Sequence, residues 1–248
     1  MEIFGALIAG TFIGSVLGFV GAGGAMLAVP ILIYGFGFEP SVASTAALAV
    51  VGSAALSGAS AKIKTKQIYY RDATVIWAIG LTTNIGFSSI VHKLSEDFIA
   101  IGFSLVIIFA GLSMLGSPLT TIHKRMSWPV LIGVSLLIGS ITGLFGIGGG
   151  FLVIPVLVLG FGTSHVIAAG TALLVIAMNS ATALLGHNAL WSEVSWNIPL
   201  VMGASAVVVA QIASRIKLPI QDALLRKIFA YLLFSVAIFS MVERLFIV

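Results

Sequence analysis

The chain has 248 residues, of which 59% are hydrophobic and 8% are charged; its mean hydropathy is +1.19 and it contains no cysteine. A soluble domain carries about 25% charged residues, so a soluble enzyme or binding module is excluded, and without cysteine so are disulfides and thiolate metal sites. The formal net charge of +4 would suggest nucleic acid for a soluble chain, but here it reads as a signal of orientation in a membrane.

In chain order, apolar segments run over 2–20, 24–37, 41–61, 73–92 and 97–117, then over 128–147, 149–162, 166–186, 197–214 and 223–242. Most are about 20 residues long, enough to span a bilayer as a helix. The segments at 24–37 and 149–162 are shorter, and each follows a glycine-rich break. The first segment lacks a basic flank and an obvious small-residue cleavage site, so it is read as part of the mature protein and not as a signal peptide. The expected fold class is an all-α integral membrane protein with eight to ten transmembrane or half-membrane helices. The polar stretch Ser117–Ser127 marks the join between two halves, residues 1–120 and 121–248, of one integrated domain.

The halves are copies. Residues 14–37 and 139–162 match at an offset of 125, with 12 of 24 positions identical, including Gly14, Gly18, Gly21, Gly23, Gly24, Pro30 and Gly37. An internal repeat constrains the fold more than any single motif, and here the shared positions are mostly backbone-shaping residues. The basic residues form three clusters, Lys62–Arg71, Lys124 with Arg125, and Arg215 to Lys227. With the clusters on the cytoplasmic side, 10 of the 12 Lys and Arg lie inside. The loop at 187–196, the counterpart of the basic loop Lys62–Arg71, has neither Lys nor Arg. It is therefore expected on the opposite side, which makes the repeats inverted and places both termini outside. Inverted repeats recur in secondary transporters, which bind substrate near midplane between the repeats.

The two junctions, Gly21-Ala22-Gly23-Gly24 and Gly146-Ile147-Gly148-Gly149-Gly150, suit tight reversals. Non-helical backbone at membrane depth persists only where protein buries it or a wet cavity borders it. A helix beginning after Gly24 or Gly149 would present free N–H groups to an anion. The alternative is that these glycines serve only close helix packing. The segments at 41–61 and 166–186 also correspond, now at an offset of 126: Thr45 with Thr171, and Ser53 with Asn179. Their hydroxyl and amide groups would complement an oxyanion, although Ser and Thr also bond to their own helices. Candidate substrate-binding residues are thus Gly23, Gly24, Thr45, Ser53, Gly148, Gly149, Thr171 and Asn179. Asn84 and Gln211 are weaker candidates. His165 and His187 read as interfacial residues, as do the tryptophans. No ionisable residue falls mid-segment, where ion-coupled pumps place acidic groups, and no acid–base pair or metal motif suggests an enzyme. No cofactor is expected. The expected partners are a small anion and the bilayer, with a second copy of the chain as a further candidate and nucleic acid excluded.

The stretches GFVGAGGAMLAVPILIY, ASTAAL, GLFGIGGGFLVIPVLV and AAGTALLVIAMNSATALLGH resemble the TauE/SafE family of membrane permeases, often called sulfite exporters. The likeness covers nearly the whole chain. It implies transport of a small sulfur-containing or organic anion, such as sulfite or sulfoacetate, across the bacterial inner membrane. An anion channel and a non-transporting accessory subunit stand as alternatives.

Overall fold

A computed structural model describes residues 2–115 and 127–216, with isolated helical positions at 227, 230, 231, 233–235 and 238. Apart from those positions, the expected segment at 223–242 lies outside the described residues. So do the linker residues 117–126 and the division at 120/121. All regular structure among the described residues is helical. The long helices are α1 (Glu2–Val20), α3 (Pro40–Lys64), α4 (Tyr70–Ser88), α5 (Glu96–Leu115), α6 (Trp128–Phe145), α8 (His165–Gly186) and α9 (Asn197–Ala213). Two short helices, α2 (Ala25–Pro30) and α7 (Gly150–Pro155), fill the places of the two short apolar segments. Five described helices are long and apolar enough to cross a membrane. The chain is a multi-pass membrane protein.

Each short helix continues past its proline in a wider, π-type winding, over Ile31–Gly35 and Val156–Gly160. Proline has no N–H to give the i→i−4 ladder, and the winding changes directly after each one. The combined element runs back along α1: Gly24 packs on Ile13 and Leu17, and Phe36 packs on Gly5. It therefore returns the chain to the end from which α1 started. α3 then starts at Pro40, where its fixed φ suits a first helical turn. The Glu96 carboxylate accepts from the Ser41 N–H at 2.8 Å, placing negative charge at the α3 N-terminus.

Helix directions follow from which residues touch. Thr45 meets His187, Gly52 meets Ser180, Gly58 meets Leu173, and Gly170 meets Lys62. The repeat-related helices α3 and α8 thus run antiparallel and cross at Gly52–Ser180. Consequently the basic loop after α3 and the loop after α8 lie at opposite ends of this pair. The other main contacts exchange partners between the halves, with α1 on α9 and α4 on α6. Gly10 faces Met202, Gly14 faces Ala206 and Gly18 faces Ala210 and Ala213, so α1 and α9 run parallel. Gly80 faces Ser135 and Gly139, and Gly143 faces Asn84 and Ser88, so α4 and α6 do likewise.

These exchanged contacts depend on bare backbone. A Cβ at Gly14 would lie 2.5 Å from the Ala206 carbonyl oxygen, and one at Gly139 would collide with the Gly80 carbonyl and sit 2.6 Å from Thr83 Oγ1. Small residues permit such approach where no hydrophobic effect drives helices together in lipid. By contrast, a Cβ at Gly133 of α6 would meet nothing within 4 Å. Gly139→Leu should therefore cost about 1–3 kcal/mol by overpacking, while Gly133→Leu stays near wild type. Thermal unfolding of the two variants in detergent checks this difference.

Candidate functional site

The two glycine turns meet at Ala22 and Gly150; Gly148 lies beside the α3–α8 crossing, while Gly21 packs on Ala169 and Gly146 on Ser44, towards opposite ends of that pair. A Cβ at Gly150 would lie 3.1 Å from Ala22 Cβ, which joins the second turn to the first. One at Gly148 would lie 2.8 Å from Ile176, 3.4 Å from Ser180 Oγ and 3.6 Å from Val51, at the middle of both long helices. Gly148 and Gly149 have φ of +71° and +64°, a region that an L side chain occupies only with strain. In the first turn Gly21 has a positive φ (+84°), whereas Gly24 is right-handed at −58°. The duplicated motifs thus fold into different turns. Gly23, Gly24, Gly148 and Gly149 are all buried. Among the described residues, no backbone acceptor partners their N–H groups.

Asn179, one residue before Ser180, is 1% exposed, and Asn84 of α4 is fully buried. Asn84 Nδ2 donates to the Asn179 backbone carbonyl at 3.0 Å and to its Oδ1 at 3.3 Å. Three polar atoms here have no partner: Asn84 Oδ1, Asn179 Nδ2 and Ser180 Oγ. Leaving a buried polar group unpaired costs about 1–3 kcal/mol; two of the three lie where α4 meets α8 and the third, Ser180 Oγ, faces the Gly148 turn at the α3–α8 crossing. The last turn of α6 ties them to the glycines. Gly143 lies over the Asn84 carbonyl, and three residues later the chain enters the Gly146–Gly149 turn.

The other candidates lie elsewhere. Thr45 and Thr171 sit at opposite ends of the α3–α8 pair, about 10 Å and about 13 Å along their helices from the crossing at 1.5 Å per residue. Both hydroxyls tie the halves together. Thr45 Oγ1 lies 2.8 Å from His187 Nδ1, and Thr171 Oγ1 accepts from the Tyr69 N–H at 3.0 Å. Ser53 is exposed on the α9 side of α3 and donates to its own helix at the Val50 carbonyl (3.0 Å). The structure therefore places Gly148 against Ser180, the neighbour of Asn179, with Gly149 on Ile138 and Thr142 and Gly23 and Gly24 in the adjoining turn, and sets Thr45, Thr171 and Ser53 on other partners.

The crossing of α3 with α9 is the satisfied counterpart of the Asn84–Asn179 pair. Arg215 can only donate, so the Gln211 side-chain oxygen faces its guanidinium at 2.8 Å. The amide nitrogen then donates to Ser60 Oγ at 2.9 Å and Ser57 Oγ at 3.2 Å. Trp77 is not a simple interfacial anchor: its indole donates to Thr182 Oγ1 at 3.1 Å and links α4 to α8.

His187 is a correction to the interfacial reading, since it is 1% exposed. Nε2 lies 2.8 Å from the Gly143 carbonyl, which can only accept, so Nε2 carries the proton and neutral Nδ1 faces Thr45 Oγ1, for whose single proton it competes with the Ser41 carbonyl at 2.9 Å. Its partner is 142 residues away, and only the α3–α8 register brings the two together. Counting outward from Gly52–Ser180 along antiparallel helices reaches Thr45 one way and His187 the other. No ionisable side chain lies mid-span, and no group of His, Asp or Glu suited to a metal occurs among the described residues.

This architecture is that of a multi-pass helical membrane protein with a polar, uncharged centre. The family model for the sulfite exporter TauE/SafE family matches residues 6–240, and the chain belongs to that family of membrane transporters. It is 26% identical over 239 residues to a "Probable membrane transporter protein" of Xylella fastidiosa (strain 9a5c), covering 93% of this chain and 91% of that one. It is 27% identical over 228 residues to the "Probable membrane transporter protein YunE" of Bacillus subtilis (strain 168), covering 80% and 83% respectively. No solved structure matches.

His187 follows directly on the span Val166–Gly186, and burial pushes its pKa down to about 4 against the opposing pull of the Gly143 carbonyl. The folded state thus favours the neutral ring. Its contribution is complete above the ordinary value of about 6.5 and is lost as pH falls towards 4. The expected slope is at most about 1.4 kcal/mol per pH unit. His187→Gln should flatten this acid limb, and unfolding midpoints measured across that window test it.

Proposed function

We propose that this protein is a secondary transporter that exports a small anion, sulfite or an organosulfur or organic anion, across the bacterial inner membrane. The halves act as inverted repeats and the termini lie outside. The carrying observation is the group of unpartnered buried polar atoms, Asn179 Nδ2 and Ser180 Oγ among them, beside glycine turns with bare N–H groups. Such neutral donors bind an anion without a fixed cation, and a buried polar group without a partner is otherwise costly.

The antiparallel α3–α8 pair supports the inverted relation, because repeat-equivalent helices point opposite ways about one crossing. Transporter folds of this type bind at the repeat interface and rock one repeat against the other. With no carboxylate mid-span, the membrane potential supplies the drive. One negative charge moving outward from an inside-negative cell gains about 2.3 kcal/mol per 100 mV. Sidedness follows from Lys62, Lys64, Lys66, Arg71 and Arg215 lying at one end of the parallel pair α3 and α9.

Purified protein in liposomes should take up sulfite with saturation and with acceleration by sulfite on the opposite face. Asn179→Leu should lower uptake by about tenfold or more, the equivalent of one lost charge-assisted hydrogen bond, with insertion unchanged. Wild-type flux in that variant would remove Asn179 from the site, and an unsaturated ohmic current would make the protein a channel.

A further inference from the structure

The unpartnered atoms at the α4–α8 crossing are not all donors. The Asn179 backbone carbonyl can only accept, so the Asn84 side-chain nitrogen must face it, as it does at 3.0 Å. This fixes the amide. Asn84 Oδ1 points the other way, on a residue with no exposed surface, and accepts from nothing. Asn179 Nδ2 is its opposite, a buried donor with nothing to give to. Ser180 Oγ, also fully buried and unpaired, can serve either way. A fully deprotonated oxyanion can satisfy Asn179 Nδ2, but it would set its lone pairs against Asn84 Oδ1, whose amide lies directly beside it. A second negative charge would also find no Lys or Arg mid-span to balance it.

We infer that the site selects a small monoanion that carries its own hydrogen-bond donor, an O–H or N–H group directed at Asn84 Oδ1, and that Asn84 is the residue that reads it. The inference rests on the anion-transport reading above and names the substrate class for that site. Hydrogen sulfite fits the class and sulfite dianion does not; a 2-hydroxycarboxylate fits and a plain alkylcarboxylate of the same size does not. A site that hydrogen-bonds a substrate O–H rejects the analogue without it strongly, because its own buried group is then left bare.

The test uses the protein as it stands and two isosteric pairs: hydrogen sulfite against methanesulfinate, and glycolate against propionate. In each pair a hydroxyl is exchanged for a methyl group while the single negative charge is kept. Each probe is titrated by thermal stabilisation in detergent and by competition for liposome uptake. The donor-bearing member of the pair that binds should do so about tenfold or more tightly, the equivalent of one buried hydrogen bond. Sulfite uptake should also rise as the medium is acidified through its second ionisation. Asn84→Leu should bring the ratio towards one by weakening the donor-bearing probe alone. If that variant does not fold, the pair ratios and the sulfite profile of the native protein decide the matter. Equal or reversed binding within the pairs overturns the inference and leaves the anion site standing. Absence of binding by all four probes overturns both.

Discussion

The contact on which the remainder depends is the antiparallel crossing of α3 and α8 at Gly52 and Ser180. A Cβ on Gly52 would lie 3.0 Å from Ser180 Cβ, so the two central helices approach as closely as small residues allow. That closeness sets the register of the whole pair. It puts Thr45 against His187 at one end and Gly170 against Lys62 at the other. It also brings the Gly148 turn against Ser180 and Val51 at mid-length. A bulky pair at the crossing would open the centre and release the glycine turns from the helices that bury them.

Around this axis the protein is held by van der Waals contact and hydrogen bonding between helices, as expected where lipid is as apolar as the side chains. The glycines of α1 and α6 divide into two roles. Gly10, Gly14, Gly18, Gly139 and Gly143 bring backbones together, while Gly21, Gly146, Gly148 and Gly149 let the chain reverse. Close packing accounts for the first group, and Gly24 of the first junction is packed as tightly, on Ile13 and Leu17. Within the second group the Gly21 and Gly146 N–H groups close the last turns of α1 and α6 on Leu17 and Thr142, while those of Gly148 and Gly149 have no backbone acceptor.

Much of the fold was legible because periodicity is replaced here by length: apolar runs bounded by glycine, proline and charge can only be membrane helices. The bounds of α1, α6 and α8 fall within a few residues of the apolar segments, and the short elements follow their glycine breaks. The site was legible in part. Glycine and amide chemistry pointed to Gly148, Gly149 and Asn179. Hydroxyls were the weak signal, because Thr45, Thr171 and Ser53 look alike in sequence, and only three-dimensional register shows that their partners are His187, the Tyr69 N–H and the Val50 carbonyl. His187 was missed for the same reason. Its burial depends on a helix from the other half, which no local pattern records. The divergence of the two turns was equally hidden, since Gly24 and Gly149 are the same residue in the same motif with opposite signs of φ.

The exchanged pairing of α1 with α9 has a consequence for biogenesis. Gly18 and Ser214 meet across 196 positions of chain, so α1 leaves the ribosome long before the helix that covers its glycine face exists. Until then it waits in lipid as a lone helix, and the first half is an assembly intermediate with one wall missing. A chain stopped after its first half would leave the face of Gly10, Gly14 and Gly18 without the helix it packs on.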